Sequence, residues 1–140
     1  MLDSPSIFLD SLADTHIDST KRASLIERVN FIQGNAFEMP FDDKSFDLSY
    51  TSLVFEQMPH KYANALKEIH RVTKNYVVFI EPFKEANNLL GKTKLKSMDY
   101  FRESYTSFQE FGFEPIAFIN DLPQKLHFGI AALIAKIVRV

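Results

Sequence analysis

An α/β fold with a mainly parallel sheet, helices on its faces and a C-terminal antiparallel hairpin is predicted by three features of the sequence. Short β-branched and aromatic runs alternate with an amphipathic helical segment early in the chain. One run, "YVVFIEPF" (Tyr76 to Phe83), is apolar without alternation, as befits a strand covered on both sides. The last two strand-like runs have no helix between them, so they pair as a hairpin at a sheet edge.

The elements follow in order. "VNFIQGNA" (Val29 to Ala36) reads as a strand stopped by Gly34 and Asn35. "FEMPFDDK" is a turn-rich connection in which Pro40 cannot continue a helix. "SFDLSYTSLVF" reads as a strand, with Phe46, Leu48 and Tyr50 alternating against Asp47 and Ser49. In "PHKYANALKEIHRVTK", Tyr62, Leu66, Ile69 and Val72 fall at helical spacing, and Arg71 and Lys74 suit the negative end of the helix dipole. "GKTKLKS" (Gly91 to Ser97) gathers lysines as a solvated loop does. "SMDYFRESYTSFQEFGF" sets Phe101, Tyr105, Phe108 and Phe111 on one helical stripe, with Gly112 at the C-cap. "EPIAFIND" and "HFGIAALIAKIVRV" are the final strands, joined through "DLPQKLH".

Composition narrows the chemistry. The 140 residues suit one domain with a core rich in its 14 phenylalanines. Sixteen basic against 18 acidic residues leave a net charge of −2, which speaks against a nucleic-acid or membrane-surface footprint. Without cysteine there is no disulfide, thiolate metal site or thiol nucleophile. The four histidines show no zinc-ligand spacing, so no metal is expected. No Gly-x-Ser-x-Gly elbow is present either. The longest apolar run, Phe128 to Ala135, is too short to span a membrane, and the N-terminus carries acids where a signal peptide needs bases. A cytoplasmic location is the expectation.

The ordered series "VNFIQGNAFEMPFDDKSFDLSYTSLVFEQMP" and "ALKEIHRVTKNYVVFIEP" resembles the C-terminal two-thirds of a class I S-adenosylmethionine-dependent methyltransferase of the type 11 kind. That family is Rossmann-like and binds S-adenosyl-L-methionine across the carboxyl ends of its strands. The resemblance puts Asn35 at the adenine edge, where the family usually has Asp, with Ala36 offering its backbone N–H. It puts Thr51 and Ser52 along the methyl-donor cleft, and Glu56 of "FEQM" toward cofactor or acceptor as the candidate catalytic group.

Departures from the family pattern shape the expectation. No glycine precedes Gly34, so the glycine-rich cofactor turn after the first strand is missing. The Pro-Gly-Gly turn before the "YVVFIEP" strand is missing too. The chain therefore reads as N-terminally truncated: residues 1–28 a remnant or extension, residues 29–140 the C-terminal part of a methyltransferase-like domain. Two functions follow. One is methyl transfer to a small-molecule or saccharide-type acceptor through an incomplete cofactor site. The other is a non-catalytic remnant or interaction subunit, with self-association or a partner chain covering the exposed sheet edge.

Overall fold

The computed structural model describes residue 24, residues 27–122 and residues 128–138. The chain divides into two compact units, residues 1–33 and residues 34–140. In the first unit, residues 29–33 form no strand, and Val29, Phe31 and Ile32 are exposed. The strand expected over Val29–Ala36 is therefore absent. β-propensity alone does not make a strand, which needs a neighbour to pair its N–H and C=O groups. The 1–28 segment lies almost wholly outside the described residues.

The second unit holds a four-stranded sheet. Its elements are β1 (Phe46–Ser52), α1 (Tyr62–Val72), β2 (Thr73–Glu81), α2 (Leu89–Ser97), β3 (Phe113–Ile119) and β4 (Ala131–Ile137), with 3₁₀ turns at Phe55–Gln57, Lys84–Ala86 and Tyr105–Phe111. The spatial order is β1-β2-β4-β3. β1 and β2 are parallel, with α1 as the crossover, while β2–β4 and β4–β3 are antiparallel. The α/β class and the terminal hairpin are as expected. The balance differs: one pairing of three is parallel, because the 29–36 run adds none.

β2 is central, as its unbroken apolar sequence requires. Val77, Phe79 and Glu81 are buried on one face, whereas Val78 and Ile80 on the other are only half-buried. The covered face carries Ala65, Leu66 and Ile69 of α1 and a cluster of phenylalanines (55, 79, 83, 101, 108 and 113). Leu48, Tyr50 and Tyr76 on the opposite face are exposed, and Leu48 pairs with Tyr76 in the β1–β2 register. The alternation predicted for β1 is thus present, but its apolar side is the uncovered one.

Two helical expectations change. The lysine run is α2, a helix rather than a loop, started by Asn88, whose side chain accepts from the Gly91 N–H. The stripe from Phe101 to Phe111 becomes a 3₁₀ helix only over Tyr105–Phe111. Tyr105, Phe108 and Phe111 are spaced by three, the period that stacks side chains in a 3₁₀ helix. Gly112 ends it in the left-handed region, with φ 83°, as the sequence predicts. The connection 123–127 lies outside the described residues.

Asn87 fastens the hairpin to the rest of the unit. Its amide donates to the carbonyls of Phe83 (2.9 Å) and Gly129 (2.8 Å), and its carbonyl accepts the Gly129 N–H at 2.7 Å. A Cβ at position 129 would collide with the Ala86 carbonyl oxygen. Gly129→Ala is expected to destabilise the protein by about 1–3 kcal/mol, the usual range for a forced backbone shift, as read by urea denaturation.

Candidate functional site

The connection that carries Asn35 and Ala36 is held down by α1. Glu68 and Arg71 stand one turn apart and join through two hydrogen bonds, Nε to Oε1 at 2.8 Å and NH2 to Oε2 at 2.9 Å. Arg71 then donates to the carbonyls of Phe41 (2.7 Å) and Met39 (3.0 Å) and to Asp43 (2.9 Å), while Glu68 accepts the Met39 N–H at 2.8 Å. The hydrogen bonds from Arg71, and then that from the Met39 N–H, hold the Glu68 carboxyl down at about 2. Lys44 completes the anchorage by donating to the carbonyls of His70 (2.8 Å) and Thr73 (2.9 Å) at the end of α1.

Within this anchored segment Asn35 builds its own turn. Its side-chain oxygen accepts the Phe37 N–H at 3.0 Å, and its main-chain oxygen accepts the Glu38 N–H at 3.1 Å. An amide oxygen has two acceptor positions, so one is left for another donor, and the side-chain NH2 is not used by the turn. Ala36 is half-buried behind it and lines an apolar cavity of about 400 Å³. Thr51, Met39, Val54 and Ile69 line the same cavity. Two of the four residues expected to hold a cofactor, Ala36 and Thr51, thus meet around one space. Asn35 and Ser52 stand beside them in the chain, both exposed.

Thr51 is buried, and its hydroxyl has no hydrogen-bond partner. It faces Glu81, the last residue of β2, close enough to favour the ionised carboxyl without meeting hydrogen-bond geometry. Glu81 is wholly buried and accepts the N–H groups of Val54 and Phe55, both at 3.1 Å. Burial pushes its carboxyl up to about 7, against the opposing pull of Thr51 and the two amides. Leu53, just before these amides, has φ 54°, a left-handed conformation that costs a branched side chain about 1–3 kcal/mol.

Glu56 lies elsewhere. It lines a larger cavity, about 610 Å³, with Phe37, Met58, Met98 and Tyr100. At its rim His60 and Asp99 pair at 2.9 Å, and His60 together with Arg102 lowers the Asp99 carboxyl. The two cavities are lined by chain neighbours, Ala36 and Phe37 on one segment, Val54 and Glu56 on the next. No cluster of metal-ligating side chains occurs among the described residues. No described helix is long and apolar enough to cross a membrane.

Sequence reasoning weighed Glu81 only as an acid/base partner of Glu56, set that pairing aside, and missed the Glu68–Arg71 pair. The pair had a signal, opposite charges at i,i+3 near the helix end. For Glu81 the signal was only its place at the end of a buried strand, because its partners lie 26 and 27 positions away.

A family model described as "Methyltransferase domain" matches residues 10–80, just over half the chain. Demethylmenaquinone methyltransferase of Staphylococcus epidermidis is 41% identical over 58 residues, which make up 41% of this chain and 23% of that protein. The crystal structure of the [4+2]-cyclase SpnF superposes with a TM-score of 0.63 at 19% identity, covering 94% of this chain and 61% of that one. Geranyl diphosphate C-methyltransferase from Streptomyces coelicolor A3(2), crystallised with Mg2+, geranyl diphosphate and S-adenosyl-L-homocysteine, superposes at 0.59 with 11% identity, covering 85% of this chain and 57% of that one. These two likenesses establish the fold.

Proposed function

Because the chain belongs to the methyltransferase-domain family, we propose that it takes part in transfer of a methyl group from S-adenosyl-L-methionine to a small-molecule acceptor, through a cofactor site that this chain supplies only in part. The observation that carries the proposal is the meeting of Ala36 and Thr51 around one apolar cavity, which runs along β1 from Phe46 to Thr51 and against Ala65, Ile69 and Val72 of α1. Met39, Val54 and Ile69 suit the flat apolar faces of an adenine. Asn35 offers its remaining acceptor position to the exocyclic amine. The residues present therefore fit the adenine end. The cofactor brings a sulfonium-activated methyl; the chain's own contribution is to orient the reactants and exclude water. The acceptor would occupy the larger cavity, whose apolar wall of Phe37, Met58, Met98 and Tyr100 meets polar groups at Glu56 and the His60–Asp99 pair. A demethylmenaquinone methyltransferase among its relatives favours a small organic acceptor over a macromolecule.

The ribose and carboxyl ends of the cofactor lack a glycine-rich turn, since no glycine precedes Gly34. Each missing polar contact costs on the order of 1 kcal/mol or more, and about 1.4 kcal/mol is a factor of ten. Calorimetric titration of the 140-residue chain with S-adenosyl-L-methionine is expected to give a dissociation constant near millimolar, tightened by Asn35→Asp. The Asp variant keeps the turn, because a carboxylate also accepts the Phe37 N–H. Micromolar binding by the chain alone would overturn the incomplete-site reading, and an unchanged or weaker Asp variant would remove Asn35 from the site.

The exposed Leu48, Tyr50 and Tyr76 favour a second reading, a subunit that joins a partner chain or its own kind across β1. Sedimentation velocity showing a monomer that binds the cofactor tightly would dismiss it.

A further inference from the structure

We infer that Glu81 is the positioning residue of the methyl-donor cleft: its buried carboxylate ties the turn after β1 to the end of β2, and protonation loosens that turn. What the turn serves rests on the methyl-transfer reading above; what Glu81 does to it rests on geometry.

Three consecutive amides leave β1 pointing at β2. The Leu53 N–H donates to the Ile80 carbonyl at 2.9 Å, and those of Val54 and Phe55 donate to the two oxygens of Glu81. Adjacent main-chain N–H groups of this kind form a concavity suited to an anion. Here the anion is supplied by the protein itself. The left-handed Leu53 is held in place from both sides by these bonds. The turn carries Val54 into one cavity and Glu56 into the other, so its position sets the walls of both.

No lysine, arginine or histidine among the described residues forms an ion pair with Glu81, and the charge of Glu56 disfavours its ionised form. Desolvation by burial is the main cause of the rise and Glu56 a minor one, so the carboxyl gains its proton close to neutrality. With the proton on, one oxygen becomes a hydroxyl and a poor acceptor, and one of the two amides loses its partner. Thr51 opposes that protonation, because its hydroxyl faces the carboxyl and favours the ionised form.

The test uses the full chain labelled with ¹⁵N. The amide shifts of Val54 and Phe55 are followed from about pH 5.5 to about pH 8.5, with hydrogen exchange at the two ends. Both resonances are expected to titrate with one midpoint near 7, with protection factors, corrected for the base-catalysed intrinsic rate, about tenfold lower in the protonated form. Glu81→Gln should abolish the titration. Thr51→Val should move the midpoint upward, a shift that a merely structural residue would not produce. Flat amide shifts in the wild type, or a titration that survives in Glu81→Gln, overturn the inference. If Glu81→Gln fails to fold, the wild-type curve and the Thr51→Val shift decide it. Amides that titrate in a chain that never binds S-adenosyl-L-methionine would leave the positioning role standing and sink the methyl-transfer reading. Where the cofactor binds, its affinity should fall as the pH drops through the same midpoint.

Discussion

Phe108→Ala is expected to lower the unfolding free energy by about 3–5 kcal/mol, the cost of removing a buried aromatic ring and leaving a cavity. Phe108 is fully buried, with ring centroids 4.9 Å from Phe79, 5.3 Å from Phe83, 5.9 Å from Phe55 and 6.0 Å from Phe101. It reaches this centre from a 3₁₀ helix, and its neighbours come from β2, from the two segments after the parallel strands and from the run before that helix. A domain of this size has about 5–15 kcal/mol in total, so one truncation removes a large share. Chemical denaturation followed by circular dichroism measures the loss. A change below about 1 kcal/mol would mean that the aromatic cluster is not the core. Phe108→Leu, which keeps most of the volume, should recover much of the stability.

Stability should also depend on pH in two separate windows. For Glu81 the folded carboxyl sits at about 7, above the ordinary 4.5. Its contribution is therefore fully present below 4.5 and is lost as the pH rises to 7. Two and a half pH units at about 1.4 kcal/mol each amount to roughly 3–4 kcal/mol. For Glu68 the sign is opposite: its carboxyl is held at about 2, so its contribution is present above 4.5 and lost as the pH falls toward 2. Denaturant midpoints across pH should rise from acid to a maximum near pH 5 and decline toward neutrality. Glu81→Gln should flatten the neutral limb and Glu68→Gln the acid limb. A stability that keeps rising from pH 5 to pH 8 would contradict the buried, unpaired state of Glu81.

Much of the fold was legible because local pattern and tertiary demand agree. Tyr62, Leu66, Ile69 and Val72 mark α1, Gly112 marks a left-handed cap, and the unbroken run of β2 marks the centre of the sheet. Pro115 carries a further signal: it lies at a register irregularity in β3, an edge strand, where a missing N–H is tolerated. Where the pattern misled, a partner decided the outcome. The 29–36 run has strand composition and no ladder. α2 buries only Gly91 and Leu95, so no apolar stripe announces it. In the site, resemblance supplied Ala36 and Thr51, which do line one cavity. It included Glu81 only as the Glu-Pro end of a strand and could not supply its role, because a carboxylate beside amides 26 and 27 positions earlier leaves no local trace.

The sheet order β1-β2-β4-β3 has a consequence for synthesis. β3 is made before β4, yet its place in the sheet is beyond β4, and it touches no other described strand. A ribosome that has released residues up to Ile130 holds a parallel pair with β2 open on one side and a β3 with nothing to join. Elongation at about 5–20 residues per second keeps both open edges waiting until residues 131–137 emerge. Those edges are templates for neighbouring nascent chains, so the sequence depends on late closure by a single seven-residue strand. Chaperone occupancy on stalled chains should be high with arrest at Ile130 and fall once β4 has cleared the exit tunnel.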